Sequence, residues 1–109
     1  MPRSTRDEAE ALLPKVVPYL EDIQRRKRAF DRNPTEPLAA EIRALIRSVA
    51  EMGVEVKSLD DGLIDFPAER RGREIYLCWK LGEGDGISWW HEVDTGFAGR
   101  RPITELYEN

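Results

Sequence analysis

Up to Gly53 the apolar residues of this chain recur every three or four positions, and beyond it they recur every second position. A single switch of this kind places helices in one half and strands in the other, an α+β arrangement. In the first half, Thr5-Arg-Asp-Glu8 has the form of a capping box, whose hydroxyl and carboxylate satisfy backbone donors at a helix start. Leu13, Val16, Leu20, Ile23 and Phe30 then draw one stripe along a helix. Pro14 and Pro18 each lack an N–H and crowd the preceding turn, so the expectation is a kink or short break near Pro14, a short helix followed by a longer one. Asp31 to Pro37 forms a turn, with Pro37 near the start of a second helix. Leu38, Ile42, Leu45, Val49 and Met52 carry that helix to Gly53, which suits a helix C-terminus. The short link makes the pair an antiparallel hairpin.

In the second half, Val54-Glu55-Val56, Leu63–Phe66, Glu74–Lys80 and Ile87–Glu92 alternate as strands separated by glycine-rich turns. A two-residue turn at Arg71-Gly72 and an even-length loop centred on Gly84-Asp85 assign side chains to faces. Ile64, Phe66, Ile75, Leu77, Trp79, Ser88 and Trp90 fall on one face, which covers the helices, with Trp79 and Trp90 as the leading core residues. The other face carries Leu63, Asp65, Tyr76, Cys78, Lys80, Ile87, Trp89 and His91, too polar for a core and too aromatic for plain exposure. The expected fold is an N-terminal antiparallel helical hairpin packed on a C-terminal antiparallel β-meander of three to four strands. One domain spans 1–109, with a helical half at 5–53, a β half at 54–103 and a tail at 104–109 that frays. The stretch from Asp94 to Ile103 is expected to be an ordered irregular loop.

With 17 basic and 21 acidic residues the net charge is −4, which supplies no field for a polyanion and argues against nucleic acid. One cysteine excludes an internal disulfide framework and suits a reducing compartment, the cytoplasm. The polar N-terminus lacks a signal-peptide core, and no stretch approaches the length of a membrane span.

Asp65, Cys78 and His91 share the outer face and comprise the ingredients of activated-thiol catalysis. The weightier alternative is that Cys78 packs as a small hydrophobe while Asp65 and His91 bond to backbone or to each other, because structural cysteines greatly outnumber reactive ones. No cofactor is expected. A metal would have to draw on His91, Glu92, Asp94, Asp65 and Cys78; one histidine and one cysteine give no repeated ligand spacing, leaving His91 and Asp94 as weak candidates. Arg100 and Arg101, with the arginines at 70, 71 and 73, could hold a small anionic ligand, and Trp89 and Tyr76 could contact it. The Arg25–Arg28 run complements the C-terminal end of the first helix.

Thr5 to Pro14, Gly53-Val-Glu-Val-Lys57, Gly62-Leu-Ile-Asp-Phe-Pro67, Tyr76-Leu-Cys-Trp79 with Leu81-Gly-Glu83, Trp90-His91, and Asp94-Thr-Gly-Phe-Ala-Gly-Arg100 stand in that order along the chain. Together these segments resemble the small bacterial domain-of-unknown-function family 2203. The resemblance implies a bacterial, cytosolic origin and transfers no activity or catalytic residue. It draws attention to Asp65, Cys78, Trp79, Glu83, Trp90, His91, Asp94 and Arg100. The leading expectation is a non-enzymatic binding or assembly module that homodimerises through the Tyr76, Ile87 and Trp89 surface or the helical hairpin. The alternative is a small enzyme or anionic-ligand-binding protein using Asp65, Cys78 and His91.

Overall fold

The computed structural model describes residues 4–107, the last of these for its backbone alone. Helix α1 (Arg6–Arg32) begins at the expected capping box: Thr5 Oγ1 accepts the Glu8 N–H at 3.2 Å, and Glu8 Oε1 accepts the Thr5 N–H at 3.0 Å. The break expected near Pro14 does not occur, because both prolines lie inside one continuous helix. They sit four residues apart on the exposed side. The carbonyls they leave without an N–H partner, those of Glu10 and Pro14, therefore belong to the solvent side, and the buried stripe Ala9, Leu13, Val16, Leu20 and Ile23 is undisturbed. Helix α2 (Glu36–Glu51) starts from Thr35, whose Oγ1 accepts the Leu38 N–H, and ends just before Gly53 at φ 82°.

Five strands follow in a meander of order β1-β2-β3-β4-β5: β1 (Glu55–Ser58), β2 (Leu63–Arg70), β3 (Arg73–Lys80), β4 (Trp89–Glu92) and β5 (Arg101–Pro102). All neighbours are antiparallel, so the expected helical hairpin on a meander holds, with one strand more than the three to four expected. The extra strand comes from the stretch read as an irregular loop, which contains a 3-10 turn at Phe97–Gly99 and then β5 paired to β4. A second 3-10 segment, Ile103–Tyr107, occupies the start of the expected tail and packs Leu106 against the core; residues 108 and 109 lie outside the described residues. Among the described residues no helix is long and apolar enough to cross a membrane.

Both hairpins have the parity on which the facial assignment depends. Arg70 pairs with Arg73 across Arg71 and Gly72, whose φ values of 51° and 79° suit the twist of a two-residue hairpin. Cys78 pairs with Trp89 and Leu77 with Trp90, which centres the second loop one residue earlier than Gly84-Asp85 but keeps its length even. Ile64, Phe66, Ile75, Leu77, Trp79 and Trp90 accordingly meet the helices in one apolar core. Trp79 Nε1 donates to the Gly84 carbonyl at 3.0 Å, so its indole nitrogen is satisfied within the hairpin it anchors.

Ile87 and Ser88 depart from the expected alternation. Ile87 is wholly buried in the core rather than on the outer face, and Ser88 is exposed. Both precede β4, and the Ile87 N–H donates to Glu10 Oε2 of α1 at 2.7 Å, a bond from strand block to helix block that draws this residue inward. Homodimerisation through a Tyr76, Ile87 and Trp89 surface thereby loses one of its three members.

Candidate functional site

On the outer face, Asp65 of β2 pairs with Cys78 of β3, and Tyr76 of β3 pairs with His91 of β4. Asp65 and His91 are thus diagonal neighbours separated by the central strand β3, and their side chains meet over it. His91 Nε2 lies 3.0 Å from each carboxylate oxygen of Asp65. Its other nitrogen, Nδ1, lies 2.6 Å from the Glu92 carbonyl and donates to it, since a carbonyl can only accept. Cys78 stands beside the pair: the thiol sulfur, a carboxylate oxygen and an imidazole nitrogen all lie within 4.8 Å of one another. Asp65, Cys78 and His91 are 3%, 0% and 2% exposed.

This geometry bears on the two sequence readings of the trio. In an activated-thiol site one imidazole nitrogen faces the thiol and the other faces the acid. Here Asp65 occupies Nε2 and a backbone carbonyl occupies Nδ1, so His91 has no nitrogen free to take the thiol proton. Burial, reinforced by the adjacent Asp65 carboxylate, pushes the Cys78 thiol up to about 12. Asp65 and His91 bond to each other, and Cys78 is buried beside them.

An absence of thiolate at neutral pH has a measurable consequence. Raising the thiol from 9 to about 12 makes thiolate roughly a thousandfold scarcer near pH 7. A soluble disulfide reagent is expected to label native Cys78 at least a thousandfold more slowly than the urea-unfolded chain; comparable rates would mean that the thiol is neither buried nor shifted. The folded state also holds this proton more tightly than the unfolded state does. Its contribution to stability is full below pH 9 and is lost as the pH climbs toward 12. Urea midpoints should fall across that window, and less steeply in Cys78→Ala.

The trio forms the floor of a cavity of about 290 Å³, walled by Lys57, Leu63, Tyr76, Val93, Gly96 and Phe97. Tyr76 leans toward β1, where its hydroxyl donates to Glu55 Oε2 at 3.0 Å, and its ring lies 5.4 Å from that of His91. Burial and Glu55 hold the Tyr76 hydroxyl above its ordinary range, while the hydrogen bond to Glu55 holds Lys57 above its own. Val93 and Phe97 are half exposed and form an apolar rim.

The outer face is covered chiefly by the loop after β4. Arg100 inserts its guanidinium between the rings of Trp89 and Phe97, at 4.9 and 4.8 Å, and pairs with Glu83 at 2.8 Å. Glu83 also accepts the Lys80 N–H, joining this loop to the β3–β4 turn. The loop closes tightly because Gly99 lies against Thr95, where a Cβ would come within 2.4 Å of the threonine side chain. Trp89 is therefore half-buried under the chain's own arginine.

The arginines expected to hold an anion do not converge. Arg101 sits over the ring of Trp90, a core-face residue, and pairs with Glu105, while Arg100 lies on the outer face with Glu83. Asp94 is exposed and outside the cluster. Lys57 and Val93 escaped the sequence reading as site residues, and Gly96 and Phe97 entered it only as part of the glycine-rich loop that carries Arg100 and Arg101. A slightly larger cavity, about 320 Å³, lies beside Thr5, Arg6, Arg70 and Leu106. Arg6 pairs with Glu10 at 3.5 Å and Arg70 lies over the Trp90 ring, while Arg71 is exposed, and among the described residues the cavity gathers no cluster comparable to the outer-face trio.

Comparison with known proteins places these residues in one family. A family model described as "Uncharacterized conserved protein (DUF2203)" matches residues 31–103, two-thirds of the chain, which takes in α2, all five strands and every residue of the outer-face cavity. No curated protein and no solved structure matches the chain.

Proposed function

The chain belongs to the DUF2203 family of uncharacterized conserved proteins, and from that premise we propose that it acts by binding a small molecule in the outer-face cavity, over Asp65, Cys78 and His91. The observation that carries this reading is the buried Asp65–His91 pair at the cavity floor. A buried ion pair is weak support for a fold, since well-packed apolar side chains of similar volume do as well or better. Polar groups converging on the floor of an otherwise apolar pocket are the usual form of a ligand site.

The cavity is at the small end of such sites, which run from roughly 300 to 1,000 Å³. A fragment-sized molecule suits it, its apolar body on Leu63, Val93 and Phe97 and its polar head on the floor. We place this binding in the bacterial cytoplasm, where the lone thiol would stay reduced. The test is a fragment screen read by methyl NMR. Binding should move the Leu63 and Val93 methyl signals together; fragments that shift only Ile42, Ile46 and Leu59 methyls, or none, would refute the reading.

Homodimerisation is the second reading, and the feature that favours it is on the hairpin. Phe30, Ala39, Ile42, Ile46 and Leu59 line an apolar groove there. A sedimentation series that shows only monomer up to high micromolar concentration would dispose of it.

A further inference from the structure

We infer that Asp65, Cys78 and His91 form a binding site for one zinc-class divalent cation, through a carboxylate oxygen, the thiolate sulfur and imidazole Nε2, with the remaining coordination position open to the outer-face cavity. The site deepens the cavity reading proposed above, and it supplies what the spacing of ligands along the chain does not show. Sheet register gathers one donor from each of three adjacent strands, β2, β3 and β4.

Three features support a metal rather than a purely structural polar cluster. First, the donor atoms already lie within 4.8 Å of one another. Around a tetrahedral zinc ion, bond lengths of roughly 2.0–2.3 Å set ligand atoms roughly 3.2–3.8 Å apart, so no donor pair needs to close by more than about 1.6 Å. Second, His91 Nδ1 is anchored on the Glu92 carbonyl at 2.6 Å, which turns Nε2 inward as the ligating atom. A second hydrogen bond of this kind orients most metal-binding histidines. Third, all three side chains are buried, and together they border the cavity, leaving a path for the ion and a place for an exchangeable ligand.

The donor set also names the metal class. One oxygen, one nitrogen and one sulfur fit the borderline-soft ions Zn²⁺ and Co²⁺, whereas Mg²⁺ and Ca²⁺ require oxygen cages. Three protein ligands with an open position match catalytic rather than closed structural zinc sites. The cations nearest the cluster are already neutralised, Lys57 by Glu55 at 2.8 Å and Arg100 by Glu83 at 2.8 Å. The incoming ion takes the place of two protons, that of the thiol and the one held between Nε2 and Asp65, and both leave to solvent.

Cobalt provides a test that reports the ligand type directly. Chelator-treated protein titrated with Co²⁺ should saturate at one equivalent, with a thiolate-to-metal charge-transfer band in the near ultraviolet and the strong visible bands of four-coordinate cobalt. One equivalent of Zn²⁺ should erase both. Cys78→Ser should lose the charge-transfer band, and Asp65→Asn should weaken zinc binding by roughly 100-fold or more. A titration of the wild-type chain that gives only the weak spectrum of hydrated cobalt overturns the inference, and needs no variant to fold. Run beside the fragment screen, the two readings separate. The cobalt band without fragment binding upholds the metal site and removes only the cavity ligand; fragment binding without the band does the reverse.

Discussion

Asp65→Ala should lower the unfolding free energy by about 3–5 kcal/mol, measured by urea denaturation with a chelator present so that no bound metal contributes. The loss is large because the substitution strands a partner. His91 is 2% exposed, and its Nε2 has both Asp65 oxygens at 3.0 Å as its hydrogen-bond partners. With the carboxylate gone, that nitrogen loses both of its side-chain partners while the ring stays buried, and the desolvation penalty of an unmade bond appears. Replacing both residues at once, as in Asp65→Leu with His91→Phe, removes the stranded group and should recover most of the loss. A single variant that costs less than about 1 kcal/mol would mean that His91 is reached by water. A double variant as damaging as the single would mean that the pair is itself the main stabiliser of the outer face, and would weaken the argument that it is retained for binding.

The second large effect is expected at Trp90, which is wholly buried and lies on the core face of β4 opposite Leu77. Trp90→Ala should cost about 3–5 kcal/mol through lost apolar burial and the void that remains. Domains of this size have only about 5–15 kcal/mol in total, so this variant approaches unfolding at room temperature. In a thermal melt each kcal/mol corresponds to roughly 4–8 °C. Trp90 also receives the guanidinium groups of Arg70 and Arg101 at 5.3 and 5.0 Å, so its ring clasps two strand ends to the core. Its indole nitrogen has no hydrogen-bond partner among the described residues. Trp90→Phe therefore sacrifices volume but no such bond, and should cost less than half as much as Trp90→Ala. Equal losses from the two variants would show that the indole nitrogen is bonded after all.

The two variants also mark how differently the fold and the site were legible. Trp90 was identifiable as core from alternation alone, because a strand with one face against helices must repeat its apolar residues every second position. The same alternation, with even loops in both hairpins, put Asp65, Cys78 and His91 on one face. Even the one-residue displacement of the second loop left that conclusion intact, since only the parity of a hairpin decides which face a residue takes. One failure came where backbone left regular structure, the other inside a regular helix. Ile87 and Ser88 stand outside the ladder, and a carboxylate from the far end of the chain, Glu10, sets their direction. Pro14 and Pro18 did not interrupt α1, because tertiary burial of the opposite stripe outweighs two missing hydrogen bonds on the solvent side.

What this sequence determined by itself was periodicity: a helical hairpin, a meander, the face of each residue within the paired strands and the presence of the trio on one of those faces. Only the tertiary structure decided how the atoms of the trio meet. Nothing along the chain specifies that Nε2 meets Asp65 while Nδ1 meets a carbonyl, which disarms the thiol, or that the loop carrying Phe97 and Arg100 folds back to roof the face that otherwise called for a partner. Periodicity is a local property, fixed by backbone geometry over a few residues. Proton placement and burial depend on distances between groups far apart in the chain, and those exist only once the sheet has closed.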